Sequence, residues 1–173
     1  MIRRGSDHRI RKSRIINDRI EWRDDISVVI KEICEYIYEL NVKSVFECGC
    51  GSGIILQGIK TLLPEVFIAG CDRDQAEIRI GKNIDEKILQ IDFAKNNIHN
   101  LDNFEFVFSY GVTGTLERRD LLKFVENMYA ISNHYFYIAK DYLQNNFERI
   151  VYSDLDLKPR EMIEKMNGYL FII

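Results

Sequence analysis

Val45-Phe46-Glu47-Cys48-Gly49-Cys50-Gly51-Ser52-Gly53 is the stretch on which the reading of the fold turns. A short apolar run, Val42 to Glu47, reads as a strand, and glycines at alternate positions then break it. Ile55, Leu56, Ile59, Leu62 and Leu63 follow at helical spacing and stop before Pro64. Glycine tolerates positive φ and leaves no side chain between the backbone and an approaching molecule. The helix behind it aims unbonded N–H groups at the same space. A strand, a glycine turn and a helix in this order make the first half of a βαβ unit. In open sheets of such units, ligands bind at the carboxyl ends of the strands.

Working outward, the same alternation continues. Val66 to Cys71 is a continuous apolar strand, and Asp74 to about Ile80 a short helix ending near Gly81. Lys87 to Ile91, Phe104 to Ser109 and Tyr135 to Ala139 read as strands. Leu121, Leu122, Val125, Met128 and Tyr129 mark a longer helix. Arg149 to Tyr152 reads as a further strand, Pro159 to Met166 as a helix, and Tyr169 to Ile173 as a last strand. Upstream, Ile26, Val29, Ile30, Ile33, Ile37 and Leu40 form one apolar helical stripe behind Asp24-Asp25, a good capping pair. Residues 1–24 show no clean apolar period and read as an arm in which some helix could form. Apolar strands alternating with helices imply an α/β fold: a doubly wound, mostly parallel sheet with helices on both faces. A length of 173 residues suits one domain, here 25–173 behind a basic N-terminal arm, 1–24.

The charge is unevenly spread. Residues 1–23 hold eight Arg and Lys against three Asp and Glu, a surplus of five, so the rest carries -8 against a total of -3. The four cysteines, Cys34, Cys48, Cys50 and Cys71, form no C-x-x-C pair, which argues against a metal site. Cysteines of this number in an ordinary globular chain are expected to be reduced and buried, which suggests the cytoplasm. No apolar run approaches a secretory signal or a membrane span, so no membrane partner is expected.

Two phosphate-binding patterns compete for the glycine loop, and both fail. A dinucleotide loop needs G-x-G-x-x-G, but Ile54 and Leu56 stand where the third glycine would fall. A P-loop needs Gly-Lys-Ser/Thr, which is absent. The remaining pattern, E-x-G-x-G-x-G at the end of a first strand, resembles the opening motif of the class I S-adenosylmethionine-dependent methyltransferases. The other reading is a glycine-rich turn with no ligand.

The resemblance, over roughly 42–139, implies S-adenosylmethionine as cofactor. Gly49, Cys50, Gly51 and Gly53 would pack against its methionine and ribose portion, with Glu47 helping to hold the methionyl ammonium. Asp72, ending the second strand beside Arg73, would accept bonds from the ribose hydroxyls; otherwise it caps a helix, a task Asp74 could perform. Asp92 would meet the adenine amino group with Phe93 flanking the ring; otherwise Asp92 serves a turn. Phe104 to Val112 resembles the fourth-strand segment, placing Ser109 and Tyr110 beside the transferring methyl group. The family's sheet ends on a reversed strand. With 34 residues after Ala139, a reversed or abbreviated C-terminal edge is expected.

Methyl transfer from a sulfonium needs a positioned nucleophile and, for some acceptors, a base. His134, at the expected start of the fifth strand, His99, His8, Asp141 and Tyr110 are the candidates, and none is assigned as catalytic. Ser109-Tyr110-Gly111-Val112 stands where enzymes acting on base or amide nitrogens often carry Asn/Asp-Pro-Pro-Tyr/Phe, and it resembles the segment of small-molecule methyltransferases. The arm, with Trp22 among its arginines, reads as a lid, a solvated tail or a nucleic-acid contact. The expectation is a methyltransferase acting on a small molecule or biosynthetic intermediate. The alternatives are an RNA methyltransferase using the arm, and a non-catalytic cofactor-binding partner subunit.

Overall fold

The computed structural model describes residues 13–16, 19–22, 24–81, 87–98, 100–139 and 150–153. The helix expected at 159–166, the strand at 169–173 and His8, His99 and Asp141 lie outside the described residues.

The first elements are two short strands, β1 (Ser13–Ile16) and β2 (Arg19–Trp22), paired antiparallel with Ser13 opposite Trp22 and Ile15 opposite Ile20. Over the described residues of the arm, the expectation of some helix is corrected to paired strands. Strands of four residues carry too few periods to read, and pairing between strands is invisible to a local pattern. The helix α1 (Asp24–Glu39) follows, then β3 (Ser44–Cys48), α2 (Ile54–Leu62), β4 (Phe67–Asp72), α3 (Gln75–Gly81) and β5 (Ile88–Gln90). After these come β6 (Phe104–Tyr110), a single 3-10 turn at Thr113–Thr115, α4 (Arg118–Ala130), β7 (Ser132–Ala139) and β8 (Ile150–Ser153). Each of these helices and strands falls within a few residues of its sequence signal.

The main sheet has the order β5-β4-β3-β6-β7-β8. Its first five strands run parallel, and β8 returns antiparallel to β7 with Ile150 opposite Ile138. The expected reversed strand is therefore present. Strand alternation splits the core in two. Val45, Ile68, Ile88, Phe106 and Phe108 face α1, α2 and α3, while Phe46, Ala69, Phe104 and Val107 face α4 and the segment 93–98. Side chains such as Phe46, Phe106 and Phe108 have no measurable exposure, and each stabilises the fold by ~1.5–3 kcal/mol relative to an exposed position. Covering both faces leaves the strand ends as the places where backbone groups and loops meet solvent.

Candidate functional site

The strand order reverses between β3 and β6: the chain winds from β3 out to β5, then crosses back to β6 on the other side of β3. At such a switch the loops leave in opposite directions and open a crevice at the carboxyl ends of the strands. The glycine loop forms one wall. Gly49 and Cys50 both donate to the Cys71 carbonyl at 2.8 Å, and Gly53 donates to the Cys50 carbonyl at 3.0 Å. This turn requires φ of +77° at Gly49, +57° at Gly51 and +76° at Gly53, values that cost an ordinary residue about 1–2 kcal/mol. The glycines differ in what stands over them. A Cβ on Gly49 would lie 2.3 Å from Val112 Cγ2, whereas one on Gly51 would meet, among the described residues, only Glu77 Oε2 at 3.9 Å. Protein closes over the first glycine and leaves the middle one open.

Asp72 stands at the mouth of β4, next to that opening. Its Oδ2 accepts from the Gly51 N–H and its Oδ1 from the Asp74 N–H, each at 2.8 Å. The Asp74 carboxylate accepts from the Ala76 N–H at 2.9 Å, so Asp74 caps α3 and Asp72 is not needed for that task. An ionised carboxylate has about four lone-pair sites. Two are taken here, leaving acceptor capacity on the open side of the loop. Arg73 beside it is exposed.

The turn after β5 is tied to β4 through the Ile91 N–H, which donates to the Asp72 carbonyl at 3.0 Å. Asp92 shapes the turn: its Oδ1 accepts from the Ala94 N–H at 3.1 Å and its own N–H donates to Asn96 Oδ1 at 2.8 Å. Its Oδ2 has Lys95 Nζ at 3.9 Å, a partner with a 62% exposed side chain that contributes little. Phe93 goes elsewhere than expected. Its ring is buried against Phe46 at 5.9 Å and Phe124 at 6.0 Å, so the flanking position expected for it is replaced by a core position. The cause is the neighbouring helix α4, whose apolar face presents Phe124.

At the end of β6, Ser109 and Tyr110 are both buried and, as consecutive strand residues, point to opposite faces. Tyr110 joins the core beneath α1 and α2. The Ser109 Oγ has no hydrogen-bond partner among the described residues. Gly111 turns the chain at φ +69° and delivers Val112 onto Gly49. Glu47 is fully buried in β3, one residue before Cys48. Burial and the neighbouring Cys71 thiol push the Cys48 thiol well above its ordinary range, so it stays protonated. His134 does not start its strand as expected. It is the third residue of β7, toward the amino end, remote from the crevice.

No family model matches the chain, and no curated protein matches it in sequence. Solved structures do. An O-methyltransferase from a trans-AT polyketide synthase multienzyme of Brevibacillus brevis, in complex with S-adenosyl-L-homocysteine, matches 67% of this chain and 41% of its own at 17% identity and a TM-score of 0.56. DesVI of Streptomyces venezuelae matches 71% and 54% at 15% identity and 0.59. The plantazolicin methyltransferase BpumL, also with S-adenosylhomocysteine, matches 67% and 46% at 19% identity and 0.55. The fold is that of the class I methyltransferases. The chain spans roughly half the length of these three structures.

Within this class I fold, hydrogen bonds join the glycine loop to Asp72, and the Ile91 bond brings the Asp92 turn alongside. The Val112 contact closes the β6 side. Phe93 and His134 are set apart. Three contributors were not singled out from the sequence: Val112 and Glu77, which border Gly49 and Gly51, and Asn127 of α4, which bonds the Asp92 turn. A signal existed for Asn127. It is an amide three residues after Phe124 and four before Ile131, on the apolar stripe of its helix.

Proposed function

We propose that this chain binds S-adenosylmethionine in the crevice at the carboxyl ends of β3, β4 and β5 and is a methyltransferase acting on a small molecule or biosynthetic intermediate. The observation that carries this reading is the open position above Gly51, beside a carboxylate with unused acceptor capacity, at the sheet's topological switch. A cofactor with a sugar diol fits that pairing, because each hydroxyl can donate to Asp72 without displacing the Gly51 and Asp74 amides. Gly49, Cys50, Gly51 and Gly53 would hold the sulfur-bearing portion, Glu47 would lie beneath it, and Arg73 and Asp92 would border the nucleoside. When bound, S-adenosylmethionine supplies a methyl group already activated on a sulfonium. The protein's work is then to orient the acceptor and exclude water, with Ser109 and Tyr110 nearest that task. The O-methyltransferase of a polyketide synthase multienzyme and the plantazolicin methyltransferase among the structural matches support the class of small molecules and biosynthetic intermediates.

The basic arm, 1–24, we read as a lid, because its hairpin leads directly into α1 and from there into β3. Deleting residues 1–22 should lower cofactor affinity and turnover with little dependence on salt. Loss of salt-sensitive RNA binding with cofactor affinity intact would instead make it a nucleic-acid arm. Among the described residues no helix is long and apolar enough to cross a membrane, and all four cysteines are buried free thiols, which supports a cytoplasmic setting.

The central experiment is isothermal titration. S-adenosylmethionine and S-adenosylhomocysteine should bind, and NAD and ATP should not bind comparably. Preferential binding of NAD defeats the reading. Tight cofactor binding without turnover on any acceptor would point to a partner subunit that completes the enzyme.

A further inference from the structure

We propose that Asn127 of α4 is a positioning residue: it sets the turn that carries Asp92 and so fixes the acidic contact at the nucleoside end of the cofactor. This rests on the cofactor reading given above. Asn127 is 3% exposed, among Phe124, Val125, Met128 and Ile131 on the apolar face of α4. A buried amide is costly unless bonded, and an aliphatic residue would fill the same place without that cost. Its Nδ2 donates to the Phe93 carbonyl at 2.7 Å and to the Asn96 carbonyl at 3.1 Å, which uses both of its hydrogens. Both acceptors belong to one turn, more than thirty residues earlier in the chain.

That turn is held from three directions. The Ile91 N–H bonds the Asp72 carbonyl at its start. Within it, the Asp92 carbonyl accepts from the Lys95 and Asn96 N–H groups at 3.0 and 2.8 Å, and Asn96 Oδ1 accepts from the Asp92 N–H. From below, Asn127 holds the carbonyls on either side of Ala94 and Lys95. Asp92 Oδ1 already accepts a bond within the turn, so Oδ2 is the less engaged oxygen and the one we assign to a ligand, and its direction follows from how the turn is held. The two bonds from α4 reach the turn and not Asp92 itself. Asn127 therefore acts through Asp92, and its effect should vanish when Asp92 has no carboxylate to position.

A double-mutant cycle read by titration with S-adenosylhomocysteine tests this. Asn127→Leu preserves bulk and removes both donors. In the otherwise unchanged protein it should weaken binding by about tenfold. In an Asp92→Ala background it should change binding by less than about twofold. An equal factor in both backgrounds overturns the proposal and leaves Asn127 a structural amide. Should Asn127→Leu not fold, Asn96→Ala loosens the same turn from the exposed side. It is expected to weaken binding with the same dependence on Asp92, and additivity there overturns the proposal equally. Failure of the unchanged protein to bind S-adenosylhomocysteine would remove the cofactor reading itself, an outcome distinct from normal binding with an additive cycle.

Discussion

The loop after β3 and the turn after β5 sit at the same carboxyl end of the sheet and are built by different means. The first is held mainly by backbone: three left-handed glycines, with Gly49 and Cys50 bonded to one carbonyl of β4 and the Asp72 carboxylate bonding the Gly51 N–H. The second contains no glycine. Side chains hold it, Asp92 and Asn96 from within and Asn127 from another helix. Glycine keeps side-chain volume out of the space a ligand needs, and the cost is conformational. A side-chain cage supports a carboxylate at a chosen angle, and the cost is dependence on distant partners. One wall of the crevice is therefore shaped by what is missing and the other by what is bonded.

The strongest way to break this contrast is at Gly49. Gly49→Ala should destabilise folding by about 2–5 kcal/mol, joining the left-handed penalty to a clash with Val112. Urea unfolding measures it, and a loss under about 1 kcal/mol would mean that the loop relaxes freely. Next comes Asp72, which links the two walls through Gly51 on one side and Ile91 on the other. Asp72→Ala should weaken cofactor binding by about 1–3 kcal/mol in a folded protein, and unchanged affinity by titration would take Asp72 out of the site. Gly51→Ala sharpens the comparison. With open space above it, its stability cost should be limited to the backbone, about 1–2 kcal/mol, while cofactor affinity falls because the new methyl group enters the ligand's space. A stability loss as large as that of Gly49→Ala would show the opening to be closed in solution.

The smallest effect concerns pH, and it comes from the buried thiols Cys48, at the end of β3, and Cys34, in α1. The folded state keeps the proton on Cys48, while the unfolded chain releases it near the ordinary value of 9.0. The unfolded state then binds fewer protons, so this stability is fully present below about pH 9 and declines above it. Cys34, raised by burial to about 11, contributes in the same direction between those values. Unfolding midpoints at about pH 8 and about pH 10 should differ less in Cys48→Ala than in the unchanged protein. An identical difference would assign the alkaline loss to other groups.

What could be read from the residues follows the same division. The β3 strand, the glycine loop and α2 were legible because apolar period and glycine spacing are local. The alternation of strands and helices was legible for the same reason, and with it the parallel sheet. Asp72 was found because its place at a strand end is a position in sequence. The β1–β2 hairpin was missed, because four-residue strands have no readable period and their pairing is not local. Phe93 was assigned to the ligand from its place in the chain. Which way that ring turns was decided by Phe124, thirty-one residues later.

The sequence by itself determined the α/β class, the order of the core elements and the loop that must contain glycine, since each depends on neighbours within one turn or one strand. The tertiary structure alone decided that Val112 closes over Gly49, that Gly51 stays open and that Asn127 supports the Asp92 turn. Those contacts join residues tens of positions apart. They exist only once the packing of α4 against the sheet has set which side chains meet, and no periodicity along the chain carries that information.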